Sequence, residues 1–177
     1  MRRVTGIDLS LTSTGIAVIT ETSRGTRLVT SVVKPDVATH YPGEHLALYE
    51  LRRIDDIVNQ LMKSSHRSEL VMIESPAYAS KMGKSTERAA LYYFTLGSLA
   101  LRRQVFDTMP PTSLKKQITG SGRSDKDSMI QSIRSAWGDS GWSEEPKSGI
   151  ADRADAAGLA WVAAKMAGFR DLPPLAQ

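Results

Sequence analysis

Four carboxylates stand out by where they fall in the chain. Asp8 closes the apolar run of "RRVTGIDLS", and Glu74 closes "ELVMIE" just before "SPAY", where Pro76 prevents simple continuation of a strand. Asp152 and Asp155, in "ADRADAAGLAWV", lie three apart, so on a helix they share one face about a turn apart. Leu159, Val162 and Met166 continue the side of Asp155, which should turn that face toward a core. Charge facing a core is costly unless it is neutralised. Two acids at strand ends and two from one helix turn are paired most simply by divalent metal ions with oxygen ligands. Mg²⁺ is the expected ion and Mn²⁺ an alternative, because the chain has no Cys and its three His, at 40, 45 and 66, lack metal-ligand spacing. Each acid also has an ordinary reading. Asp8 could be a turn former and Glu74 a solvated strand end. The Asp152 and Asp155 pair could complement a helix N-terminus, worth about 0.3 to 1 kcal/mol.

The elements that must carry these acids follow from pattern. "RRVTGIDLS", "TGIAVIT" and "TRLVTSVVK" read as three short strands joined by short turns, an antiparallel meander. Pro42-Gly43 opens a helical segment in which Ile54, Ile57, Val58 and Leu61 recur at helical spacing. "ELVMIE" suits a buried parallel strand. "STERAALYYFTLGSLALRRQ" reads as a helix opening at Ser85 with an imperfect capping box. Its residues are apolar nearly all round from Ala89 to Leu101, so it is either deeply buried or shared with a partner chain. "QVFDTMPP" is a fifth strand stopped by Pro110-Pro111. A short helix, a turn at Gly120 to Gly122, a further helix, a loop over 138–149 and an Ala-rich last helix complete the chain. The order β-β-β-α-β-α-β-α gives an α/β fold with a five-stranded mixed sheet flanked by helices.

At 177 residues the chain fits one domain, 1–177, with a tail over 168–177 expected to fray. The absence of Cys excludes disulfides, thiolate metal sites and Cys nucleophiles. No apolar run approaches the roughly 18 residues of a membrane helix, and the expectation is a soluble, cytoplasmic protein without a membrane partner. The net charge of +4 points mildly to an anionic partner. Placement says more. Lys81, Lys84 and Arg88 flank one loop, while Lys115, Lys116, Arg123 and Lys126 flank another. Tyr78 stands near the first group. The three Trp, at 137, 142 and 161, read as core or loop packing.

"GIDLSLTSTGIAVI", "LVMIESPAY", "LKKQITGSGRSDKDSM" and "ADRADAAGLAWV", in that order and spacing over positions 3 to 167, resemble the RuvC-type Holliday junction resolvases of the ribonuclease H-like superfold. The resemblance implies a metal-dependent endonuclease that resolves four-way junctions by paired symmetric nicks. It implies two divalent ions per active site held by Asp8, Glu74, Asp152 and Asp155. It also implies a K…G-x-G…K element, matched by Lys115 or Lys116, Gly120, Gly122 and Lys126. In that scheme Lys126 stabilises the phosphate or transition state, and Tyr78, Lys81, Lys84, Arg88, Lys115, Lys116 and Arg123 are the candidate DNA contacts. A homodimer through the helix at 86–103 would supply the two active sites that symmetric cleavage needs. Where the family has Pro-Gly after the first Asp, this chain has Leu9-Ser10. A compact, divergent version suits a bacteriophage and its infected bacterial host.

Two other readings stand beside it. One is a broader nuclease that also cuts forks, flaps and Y-junctions, since residues 77–88 shape the substrate groove and match the family least. The other is a non-catalytic junction-binding protein, which gives no physical reason to gather repelling carboxylates. An actin-like or sugar-kinase fold would need a second lobe that the length does not accommodate.

Overall fold

A computed structural model of the chain describes every residue except 37–39, 77–83, 139–140, 144–146 and 176–177. The three opening strands are β1 (Arg2–Asp8), β2 (Thr14–Thr22) and β3 (Gly25–Val33). Then come α1 (Leu46–Ser64), β4 (Leu70–Glu74), α2 (Ser85–Leu101), β5 (Phe106–Met109), α3 (Pro111–Thr119), α4 (Lys126–Trp137) and α5 (Ile150–Met166). The sheet order is β3-β2-β1-β4-β5, with β1, β2 and β3 antiparallel and β1, β4 and β5 parallel. This is the mixed five-stranded sheet that the sequence leads one to expect.

Side chains alternate across a strand, and that parity decides which face the acids see. Val4 and Met72 pack into a core with α3, α4 and α5, whereas Ile7, Val71 and Ile73 pack on the opposite face against α1 and α2. Asp8 and Glu74 share the parity of Val4 and Met72, so both fall on the α5 face. Register does the rest. β1 and β4 run parallel with Ile7 beside Ile73, so one residue further on Asp8 and Glu74 stand together at the carboxyl end of the sheet. Ligand sites of open α/β sheets sit at that end.

Two glycines let α5 settle directly on the sheet. A Cβ on Gly6 would lie 2.1 Å from Ala156 O and 2.3 Å from Ala160 N, and one on Gly15 would lie 2.0 Å from Asp152 O. No side chain fits in those gaps. The α5 face is then filled by Ala154, Ala156, Ala157, Ala160 and Ala163, all fully buried, whose short side chains keep helix and strands close.

Details of the helices depart from the sequence pattern. α1 starts at Leu46, capped by His45, whose Nδ1 accepts from the amide of Ala47 at 3.2 Å; Pro42-Gly43 lies in a turn ahead of it. Ser85 is not the cap of α2. That place belongs to Lys84, which takes a left-handed φ of 63° and makes no side-chain cap. α2 is neither buried all round nor polar outside: Leu91, Thr95 and Leu99 face the core, while Tyr93, Phe94 and Leu101 are 69%, 50% and 88% exposed. On α5, Leu159 and Val162 are buried as expected. Met166, in the last turn, is 57% exposed, against that expectation. Residues 168–175 return along the outer strands: Phe169 is buried, Thr26 donates to the carbonyl of Asp171 at 3.0 Å, and the Trp161 indole donates to the carbonyl of Pro173 at 3.1 Å. Among the described residues no helix is long and apolar enough to cross a membrane.

Candidate active site

Asp8, Glu74, Asp152 and Asp155 come together where the carboxyl ends of β1 and β4 meet the first turns of α5. α5 begins after Gly149, whose φ of 74° turns the loop into the helix, and Asp152 falls in its first turn, where the helix dipole favours an anion. Ser13, one residue before β2, donates its hydroxyl to Asp152 Oδ2 at 2.7 Å and fixes that carboxylate. The turn carrying Ser13 is itself tied, since Thr14 Oγ1 donates to the carbonyl of Ser10 at 2.7 Å and accepts from its amide at 3.0 Å. Sequence reasoning missed Ser13, whose partner lies 139 residues away.

The electrostatics record how close the acids are. Asp8 is pushed up to about 10, first by burial, then by the charge of Glu74 and its hydrogen bond with that residue, with Asp155 and Asp152 adding to the effect. Burial raises Glu74 as well, opposed by the hydrogen bond with Asp8 and by the charge of Lys115. Both carboxyls are therefore held above the usual carboxylate range, burial being the largest cause for each. Asp155 is raised to about 7 by burial and by Glu74, against the pull of Lys115 and Lys126. Negative charge is thus underneutralised here by the protein alone.

Among the described residues, no three His, Asp or Glu side chains are gathered into a ready-made cage for a metal ion. The donor set nonetheless fits one. Four half-buried carboxylates are hard oxygen donors of the kind that Mg²⁺ and Mn²⁺ take. A divalent cation would supply the positive charge that this buried cluster lacks and offset the burial and repulsion that raise Asp8 and Asp155.

The lysine-rich element resolves into distinct places. Lys115, half-buried on α3, donates from Nζ to the carbonyl of Ser124 at 2.7 Å and acts on both Glu74 and Asp155. Lys126, first residue of α4, acts on Asp155. Of the two lysines that the sequence left open, Lys115 is the one directed at the carboxylates. Lys116 is exposed on α3, and Arg123 is exposed in the turn that follows. Arg88 lines a cavity of about 400 Å³ that adjoins Glu74 and runs between Leu9, Ser10 and Leu11 on one side and Ser85 and Tyr92 on the other. Lys84 is bound to Glu50 at 2.9 Å. Tyr78 and Lys81 lie outside the described residues.

No family model matches the chain, and no curated protein matches it in sequence. Solved structures do match it. RuvC of Thermus thermophilus is 20% identical, with a TM-score of 0.65 over 98% of this chain and 99% of that one. The chain has the RuvC fold. The same protein in complex with a Holliday junction substrate matches at 19% identity and a TM-score of 0.63 over 99% and 100% of the two chains. The fowlpox virus resolvase bound to Holliday junction DNA matches at 14% identity and a TM-score of 0.57 over 94% and 99%. Against RuvC the likeness runs the length of both chains, so the ribonuclease H-like architecture expected from the motifs holds for nearly the whole protein.

Proposed function

We propose that the protein is a metal-dependent endonuclease that resolves four-way DNA junctions by paired nicks. The observation that carries this reading is the meeting of Asp8, Glu74, Asp152 and Asp155 at the carboxyl end of the sheet, with Lys115 and Lys126 acting on them. The two neighbours of the same fold that are complexed with junction DNA support the choice of substrate. Its place of action would be the cytoplasm of a bacterial or phage-infected cell.

Hydrolysis of a phosphodiester needs an activated water, relief of charge on the transition state and a stabilised leaving oxygen. Asp8, Glu74, Asp152 and Asp155 would together hold the divalent ions, and Asp8, which interacts with all three of the others, would be the central ligand. When bound, divalent cations activate the attacking water and spread the negative charge of the scissile phosphate. The rest falls to the chain. Ser13 holds Asp152 in one orientation, so the carboxylate is aimed before substrate arrives. Lys115, fixed by the Ser124 carbonyl, and Lys126 offer cationic stabilisation to the phosphate. Arg88 and the cavity beside Glu74 receive the adjoining strand.

Symmetric nicking requires two such sites, and α2 supplies a surface for pairing. Tyr93, Phe94 and Leu101 are large, apolar and exposed on it, with Gly97 allowing close approach. A two-fold dimer through this face buries them. A substrate panel tests the function: Mg²⁺-dependent cleavage of labelled four-way junction, Y-fork, flap and linear duplex. Paired nicks confined to the four-way junction support the reading. Comparable cutting of forks and flaps would replace it with a general debranching nuclease.

A further inference from the structure

Glu50 and Arg53, on the inner side of α1, are each only 9% exposed, unusual burial for two charged residues. Arg53 donates from Nη1 to Glu50 Oε2 at 2.9 Å and from Nη2 to the carbonyl oxygen of Leu11 at 2.8 Å. Lys84 donates from Nζ to Glu50 Oε1 at 2.9 Å. The Arg53 guanidinium also stands 5.6 Å from the ring centre of Tyr49. Buried ion pairs are weak contributors to folding, and apolar residues of similar volume are often as stable or more so. The reason for this pair is therefore sought in what it joins.

It joins three elements. Leu11 belongs to the turn that follows Asp8, and Lys84 is the left-handed cap of α2, the helix that carries Ser85 and Arg88. Those two segments are the opposing lips of the 400 Å³ cavity beside Glu74. α1 lies behind both, and Glu50 with Arg53 reaches one lip through each arm.

We propose that Glu50 and Arg53 are positioning residues that hold the turn behind Asp8 and the head of α2 at a fixed separation, with Lys84 as the tether of this brace rather than a phosphate contact. The inference rests on the nuclease reading. Its two arms have different duties. The Arg53 arm ends on the segment that carries Asp8 and governs the chemical step. The Lys84 arm ends on the helix that carries Arg88 and governs how substrate seats. Lys84 shares the one carboxylate of Glu50 with Arg53 and is 51% exposed, so what removes it from the DNA contacts is the direction in which its ammonium is held, toward α1 and away from a phosphate.

The test uses the full chain and compares wild type, Arg53→Lys, Lys84→Met and the double variant Glu50→Met/Arg53→Met on a four-way junction. Arg53→Lys keeps a cation opposite Glu50 but loses the planar fork that also reaches Leu11. It is expected to lower kcat roughly tenfold or more, as small misplacements of catalytic groups do, with KM near wild type. Lys84→Met raises KM more than it lowers kcat and leaves the salt dependence of junction binding unchanged. A lysine on a phosphate would instead reduce that slope by about 0.9. The double variant keeps a thermal midpoint at or above wild type while kcat falls as in Arg53→Lys, a separation of rate from stability that a purely structural pair does not give. A stable double variant with wild-type kcat, or a flattened salt dependence in Lys84→Met, overturns the proposal. If the double variant does not fold, wild-type kcat in Arg53→Lys overturns it alone. No cleavage by the wild type would remove the nuclease reading and this inference together, whereas active wild type with unchanged variants removes only the inference.

Discussion

Replacing Gly15 by alanine is expected to damage the site from behind without touching any carboxylate. Gly15 pairs with Asp8 across β1 and β2, and its open face receives the backbone of Asp152. A Cβ there would stand 2.0 Å from Asp152 O, 2.4 Å from Asp152 C and 3.1 Å from Arg153 N. Cβ atoms essentially never approach other atoms closer than 3.0 Å, so the first turn of α5 must retreat by about 1 Å. That retreat carries Asp152 away from Ser13 and, with Asp155, away from Asp8. Overpacking of this kind costs about 1 to 3 kcal/mol of stability. A 1 Å misplacement of catalytic groups costs about a hundredfold in rate, equivalent to roughly 2.7 kcal/mol of barrier. The assay is cleavage of a labelled four-way junction beside a thermal melt and a Mn²⁺ titration. Gly15→Ala should stay folded, with a midpoint lower by roughly 3 to 10 °C, bind Mn²⁺ more weakly and cut about a hundredfold more slowly. Wild-type cleavage and metal affinity in this variant would refute the claim that α5 must lie directly on β2. Gly6→Ala, whose clash falls mid-helix on Ala156 and Ala160, should lower stability further.

Other expectations follow from the same geometry. Lys115→Ala should lower cleavage by roughly tenfold to a thousandfold, whereas Lys116→Ala should stay within about twofold; equal losses would mean that the direction of Lys115 toward Glu74 and Asp155 is irrelevant. Ser13→Ala should weaken Mn²⁺ affinity about tenfold, read by calorimetric titration, because Asp152 loses the donor at 2.7 Å; unchanged affinity would contradict its orienting role. In metal-free protein the folded state holds protons on Asp155 up to about 7 and on Asp8 up to about 10, which the unfolded chain releases near 3.8. The stability associated with these protons is full below pH 4 and is lost as pH rises through 7 and beyond. Scanning calorimetry in EDTA should therefore give a midpoint several degrees lower at pH 8 than at pH 5, with saturating Mn²⁺ narrowing the gap; a midpoint that rises with pH would contradict the cluster's repulsion.

What the sequence made legible was what local pattern encodes. The ends of two apolar runs located Asp8 and Glu74, and three-residue spacing put Asp152 and Asp155 on one helix face. Strand parity and parallel register then complete the site. What stayed hidden depends on partners far along the chain. Ser13 looked like one more hydroxyl in a turn until α5 came to rest on it, and Lys84 looked like a surface lysine until α1 brought Glu50 beneath it. The choice between Lys115 and Lys116 needed the rotation of α3. The close seating of α5 was written as Gly6, Gly15 and a run of alanines, but small residues do not announce which backbone will approach them. Met166 followed the helical period faithfully. It is exposed all the same, because period says nothing of what covers the last turn.

If carboxylates from β1, β4 and α5 hold divalent metal to cut branched DNA, cleavage must need both the metal and Asp8. The most direct test is to map nicks on each labelled strand of a four-way junction treated with Mg²⁺ and wild-type protein, beside Asp8→Asn, with junction binding measured separately in Ca²⁺. Paired nicks at symmetric positions in opposing strands, absent in EDTA and absent in Asp8→Asn while that variant still binds the junction, are the predicted result. Junction binding without nicks by the wild type in Mg²⁺ or Mn²⁺, or nicks that persist undiminished in Asp8→Asn, would contradict it.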